Sequence, residues 1–396
     1  MKRKLVILSR IRYKWLWSVL SLCFLLQTTN IHASANYALI NVSQNSRVEI
    51  KEKGAKGDGV SNDWLIIQKT IDDLIKSGGG TIHFPKGNYA IYDKSIVIWG
   101  DNITLEGDGP SLTRIVKMGG EGYFGDCIDI SGKIRGFQYF GQFGTDIYAR
   151  RTPYSGATIR SNNIGIKNLT ISTKFSENSH QNSANNLGII NSSNVNIVNC
   201  IIENAPQTNV AIVNDTKQTG NNGIYFSNCI FQNSGQHNVR VVSYNQGNFI
   251  DNNVVFDSCK FLNVIGFSSN DKEISDKKVL LWYRGGMVSG KTSVSLNNCY
   301  FDSTGMIYGS VNVNGLSITG SKVDGPINIQ QVPRLDANPR IVIENNTFRK
   351  NVGNSIKAMS TVNKVISGPL STNFGSVYPN SLMNGSRIRI KNNISN

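Results

Sequence analysis

Cysteine and histidine are scarce in this 396-residue chain, at six and four residues. No Cys-x-x-Cys pair and no His cluster supplies zinc-type spacing, and His83 and His180 lack neighbours that would suggest a metal site. Charged residues make up only 17 % of the chain and form no Lys/Arg-rich block, which argues against a nucleic-acid partner. Beyond the first 35 residues no apolar run is long enough to span a bilayer.

The N-terminus has the pattern of a secretory signal. Lys2, Arg3, Lys4, Arg10, Arg12 and Lys14 precede the apolar run Trp15 to Leu26, and Ala33-Ser34-Ala35 offers a small-x-small cleavage site. The run falls short of the roughly 20 residues a membrane span needs, so residues 1–35 are expected to be removed; an uncleaved anchor is the alternative. The mature chain is then periplasmic or secreted, without a membrane partner. Losing the leader's six basic residues takes the net charge from +15 to +9, a balance that favours polyanions or merely keeps a large protein soluble.

What the chain does have is a repeat. Asn199-Cys200, Asn228-Cys229, Ser258-Cys259 and Asn298-Cys299 each precede an apolar residue two places on, and the pattern fades to Ser321 and Asn346. The cysteines are spaced by 29, 30 and 40 residues, an internal period that signals stacked units. Each unit reads as strand, sharp polar turn, strand, so equivalent residues should lie about 4.7–4.9 Å apart on neighbouring rungs. The Asn side chains can then form a ladder along the turn, with Cys as a small buried apolar residue. Disulfides between rungs, or zinc, are the competing reading.

Ahead of the repeats, Ser61 or Asn62 can N-cap a helix with Asp63 in its first turn. Trp64, Ile67, Ile71 and Leu74 recur at helical spacing until Gly78 to Gly80 stop it. Such a helix can shield the open end of a stacked core. The segments Gly54-Ala55-Lys56-Gly57-Asp58-Gly59-Val60-Ser61-Asn62-Asp63 and Gly78-Gly79-Gly80-Thr81-Ile82-His83-Phe84-Pro85-Lys86-Gly87-Asn88-Tyr89 resemble the N-terminal part of pectate-lyase-superfamily proteins. The resemblance implies an all-β fold, a right-handed parallel β-helix with an N-terminal capping helix. Residues 36–92 would form the cap region and residues 93–396 the β-helix. It also implies an activity on polysaccharide: lyases, polygalacturonase-like hydrolases, epimerases, phage tailspikes and exopolysaccharide-processing proteins share this fold, so fold alone does not fix function.

One set of strands reads Leu187 to Ile190, Val210 to Val213, Val239 to Val242, Val279 to Tyr283, Met306 to Tyr308 and Ile327 to Gln330. Long loops, 173–186 and 262–278, should flank it and leave a groove. An earlier insertion, Lys133 to Ser155, carries aromatics, among them Tyr148, together with Asp146, Arg150 and Arg151; aromatic faces pack on sugar rings and Arg forks onto carboxylates. In the resembling superfamily, catalysis usually sits on one face of such a sheet. The polar candidates there are Asn214, Asp215, Lys217, His237, Asn238, Arg240, Tyr244, Tyr283 and Arg284. If Val239 and Val241 point inward, Asn238 and Arg240 point outward.

A lyase needs a cation beside the uronate carboxylate and a base for the neighbouring proton; Arg240 or Arg284 suits the first role, His237 or Tyr244 the second. A hydrolase needs two carboxyl groups, and Asp215 has no convincing second among Glu203, Asp251 and the loop acids. Asn214, Lys217, Tyr283, Asp146, Arg150 and Tyr148 would then contact substrate. The polygalacturonase signatures and the Arg-x-Pro-x-x-Arg of classical pectate lyases are both missing, so no catalytic residue transfers by motif. The expectation is an acidic exopolysaccharide or capsule as partner, β-elimination as the preferred reaction, and hydrolysis or plain glycan binding as rivals. No metal or other cofactor is expected, and Ca²⁺ holding a carboxylate is left open.

Overall fold

The protein is described from a computed structural model. It describes residues 46–92, 95–118, 126–131, 161–174, 185–190, 192–214, 222–243, 252–266, 278–284, 292–309, 315–329, 341–349, 358–359, 365–366 and 388–395. Three parallel sheets carry nearly all of them. Sheets 1 and 2 have 11 strands each, and sheet 3 has eight. The chain visits the sheets in turn, coil after coil, as a right-handed parallel β-helix. Sheet 1 runs from Arg47–Glu49 to Ile388–Lys391, and sheet 2 from Asp58–Asn62 to Ile394–Ser395. Residues 47–92 thus hold both the helix and four strands that start the two long sheets.

The repeat register follows the Asn-Cys dipeptides. Sheet 1 turns into sheet 2 through two residues, the first left-handed: Asn168, Asn199, Asn228, Ser258, Asn298, Asn345 and Asn392 have φ between 51° and 57°. Asn tolerates this conformation better than most residues, because its short side chain bonds locally. Asn199 Nδ2 donates to Asn168 Oδ1 at 2.8 Å. Where Ser258 breaks the series, Asn298 Nδ2 reaches Asp257 Oδ1 instead, at 3.3 Å.

The second residue of each turn points inward. Cys200, Cys229, Cys259 and Cys299 are buried and free. They occupy successive rungs, since Ile230 N donates to Cys200 O, Lys260 N to Cys229 O and Tyr300 N to Cys259 O. The expected column of stacked thiols is therefore present, and the disulfide reading is not. Further along, the polar successors are satisfied: Asn346 Nδ2 donates to Ile318 O and to Asn393 Oδ1. Beside the thiols the core is aromatic, with Phe226 stacked on Phe256 at 4.8 Å and Phe261 on Phe301 at 4.4 Å.

The helix spans Trp64–Lys76 and buries Ile67, Thr70, Ile71 and Leu74. Its N-cap is Asp63, not Ser61 or Asn62. The Asp63 carboxylate does not bond the helix N-terminus; it accepts from Lys56 N and Gly57 N and so ties the preceding turn down. Asn62 Oδ1 takes the Trp64 N–H at 3.2 Å. At the other end Gly78 and Gly79 adopt φ of 95° and 118°, as a helix stop requires.

Candidate functional site

Sheet 3 is built from Ile96–Ile98, Ile128–Ser131, Asn185–Ile190, Thr208–Asn214, His237–Ser243, Val279–Arg284, Met306–Gly309 and Ile327–Ile329. Its strands match the set read from the sequence. Alternation along each strand sends one series into the core and the next outward. Val239, Val241, Leu281 and Tyr283 belong to the interior cluster. In register across the outer face run Val97, Asp129, Gly188, Ala211, Arg240, Trp282, Tyr308 and Asn328.

Arg240 is the centre of this row. It keeps 8 % of its surface, lies over the Trp282 ring at 6.0 Å, and its buried Nε has no hydrogen-bond partner among the described residues. An unsatisfied buried donor costs about 1–3 kcal/mol, more on a charged group, so a ligand acceptor is the natural complement. On one side of it Ala211 is buried, and the space over Gly188 is taken by the Asp126 and Asp129 carboxyls. Three strand intervals away, about 14 Å, stands Asp129.

Asp129 is one half of a carboxyl pair that the sequence reading missed. Asp126 and Asp129 are buried and hydrogen-bonded to each other. Asp126 also accepts from Asn185 N and Asn185 Nδ2, and the buried Lys117 Nζ donates to Asp126 O at 2.6 Å. Burial pushes the Asp126 carboxyl above its ordinary range, against the pull of those donors. Two carboxyls in contact in so dry a place hold one proton between them. A Cβ on Gly188 would stand within 2.6 Å of Asp129 Oδ1 and closer still to Asp126 Oδ2, so only glycine fits against the pair.

The sequence-predicted residues fare differently. Arg240 faces outward as expected. Asn238 does not: with Asn186 and Asn209 it forms a buried inner ladder, Asn209 Nδ2 donating to Asn238 Oδ1 at 3.0 Å and Asn238 Nδ2 to Leu262 O at 2.8 Å. These amides satisfy backbone carbonyls where the coil leaves sheet 2, and that need outweighs strand alternation. Tyr283 is likewise in the core at 0 % exposure and cannot meet a ligand on the outer face.

His237 is buried on the Arg240 strand, its Nδ1 3.0 Å from Thr208 Oγ1 and its ring stacked on Trp282. Burial first, then the Arg240 charge, push its pKa down to about 3. It is therefore neutral near pH 7 and a weak base. Glu203, weighed as a second acid, is held by Arg114 and by Gln232 Nε2 on sheet 2. Arg284 ends its strand opposite Val242 and Asn214 ends its own opposite Ser243. Asp215, Lys217, Tyr244, Asp146, Tyr148 and Arg150 lie outside the described residues, as does the leader 1–35.

The mannuronan C5-epimerase AlgE6 of Azotobacter vinelandii is 37 % identical over 76 residues, 18 % of this chain and 9 % of that protein. Alginate lyase 7 of the same organism is 36 % identical over 77 residues, again 18 % and 9 %. The chain thus spans about a tenth of the length of these relatives. Among solved structures, the tailspike protein gp49 of Acinetobacter baumannii bacteriophage Fri1, a capsular polysaccharide depolymerase, aligns over 79 % of this chain and 56 % of its own, with 14 % identity and a TM-score of 0.43. Residues 47–357 match the family described as rhamnogalacturonase A/epimerase, pectate lyase-like, and the chain belongs to that family.

Proposed function

We propose that the chain is an exported protein that binds an acidic polysaccharide along the outer face of sheet 3 and cleaves it by β-elimination. The observation that carries this reading is the Arg240 guanidinium, buried on a tryptophan with no partner for its Nε among the described residues. A uronate carboxylate fits there as the missing acceptor, with Trp282 buried beneath the guanidinium. Neutralising the carboxylate acidifies the adjacent C–H, and a base on the same face takes that proton. The bond to the leaving oxygen then breaks and a double bond forms in the ring. His237, neutral and weakly basic as placed, supports positioning of Trp282 and Arg240. Tyr244, which follows the Arg240 strand in sequence, is the candidate base; the Asp126–Asp129 pair, three strand intervals from Arg240 and buried, is out of reach of that proton.

A second reading rests on the Asp126–Asp129 pair: a shared proton on a buried carboxyl suits a general acid, and hydrolysis would use it. The carboxyls of a retaining or inverting pair stand about 5–9.5 Å apart, whereas these are in hydrogen-bond contact, so they would act as one acid and need a further carboxylate. The mature protein, its leader removed near Ala35, is to be incubated with a panel of acidic polysaccharides while ultraviolet absorbance and reducing ends are followed together. Absorbance from unsaturated products rising in step with reducing ends supports elimination. Reducing ends without absorbance move the chemistry to the Asp pair, and binding without either leaves a glycan-binding protein.

A further inference from the structure

A second cleft lies on another sheet. On the outer face of sheet 2, Gly59, Asn88, Arg114, Val116, Met118, Ser172, Thr173, Lys174 and Asn204 line a volume of about 540 Å³, within the 300–1,000 Å³ typical of ligand sites. Register explains its shape. Asn88 is opposite Arg114, Val116 opposite Ser172, and Met118 opposite Lys174, so the cleft crosses successive rungs of the stack. From the Gly59 strand to Asn204 it crosses four strand intervals, about 19 Å, an elongated form that suits a chain.

Its lining is chemically mixed in a particular way. Val116 and Met118 are half-buried and apolar, while Asn88 and Lys174 stand exposed at the rim. Asn204 Nδ2 reaches Ser172 Oγ at 3.2 Å across the floor. Arg114 holds Glu203, whose other oxygen is taken by Gln232 Nε2, so the acid nearest the cleft is already satisfied. Lys174 has no ion-pair partner among the described residues. An apolar strip between amides and cations meets a sugar ring's two aspects, its C–H face and its hydroxyl or carboxylate edge.

We infer that this cleft is an auxiliary binding site for an acidic oligosaccharide segment, separate from the sheet-3 face and able to hold a polymer while another stretch of it is processed. The acidic character of the ligand rests on the function proposed above; the cleft's existence does not. The test is calorimetric titration of the full-length mature chain with alginate hexasaccharide and with galacturonate hexasaccharide, using neutral dextran oligomers as the control. The expected result is binding of an acidic hexasaccharide at two equivalents per chain, weakened by salt. Lys174→Glu, exposed and outside the packing, should weaken one equivalent about tenfold, and Asn88→Ala should weaken the same one. Arg240→Ala should remove the other. One equivalent surviving Arg240→Ala and lost on adding Lys174→Glu supports the cleft even if no polysaccharide is turned over. Titration of Lys174→Glu indistinguishable from wild type, or no binding of either hexasaccharide by the wild-type chain, overturns it.

Discussion

Sheets 1 and 2 and the corner between them differ from sheet 3 in how the same solenoid is built. The corner is two residues long in eight successive coils, from Asn168 to Asn393. Outward side chains on these two sheets are partly exposed, as in Thr113–Met118 and Ser193–Val198. In sheet 3 the outward series is buried as well, from Asp129 through Ala211, Arg240 and Trp282 to Tyr308. Every internal segment from 93 to 340 outside the described residues joins sheet 3 to a neighbour. One corner thus repeats a fixed solution to the backbone's needs. The sheet opposite it carries the insertions and the unusual polar groups, which is where a β-helix can vary without disturbing its stack.

Breaking the regular side should affect stability first. Phe256→Ala removes the ring stacked on Phe226 and edge-on to Phe231 and Phe261, and should cost about 3–5 kcal/mol in urea unfolding. A loss below about 1 kcal/mol would mean that the aromatic column is not a packed core.

Gly188→Ala probes the other side. The added methyl must displace Asp126 and Asp129, so stability should fall by about 1–3 kcal/mol. Ala211→Gly, one rung along, should change the Asp pair little. Equal effects at the two positions would show that the pair does not press on Gly188.

A smaller and pH-dependent effect separates His237 from surface histidines. Its folded pKa, about 3, lies below the unfolded value near 6.5. Above pH 6.5 both states are neutral and it adds no pH dependence. As pH falls from about 6.5 toward 3 the unfolded chain takes up a proton that the fold refuses, so stability declines across that window. His237→Gln should flatten the decline between pH 7 and pH 5. Parallel wild-type and His237→Gln curves would place the histidine in water.

The comparison also explains what could be read from sequence. The corner announces itself because Asn at a left-handed φ and a small buried residue recur with a fixed partner, so strand register follows, and with it the strands of sheet 3. Phase within sheet 3 is harder to read. Val279–Arg284 is apolar on both faces and its register shifts against Met306–Gly309, so no alternation marks Tyr283 as inward and Trp282 as outward. Asn238 obeys the backbone carbonyl of Leu262 rather than the strand's alternation. Asp126 and Asp129 precede the Asn-Cys series and have no repeat partner that would have flagged them. The one available signal was two acids three apart around the apolar Cys127-Ile128.

The central claim is that an acidic ligand is received by Arg240 on the outer face of sheet 3, and binding by the Arg240→Met chain tests it most directly. Its companion control is Lys167→Met, which removes a cation from the outer face of sheet 1. Arg240→Met should fold with undiminished stability, since a buried charge whose Nε has no partner among the described residues is replaced by an apolar side chain. It should lose salt-sensitive binding at this site and about 10²–10³ in turnover of the acidic polysaccharide, while Lys167→Met behaves as wild type. Full turnover and unchanged binding stoichiometry in Arg240→Met would contradict it.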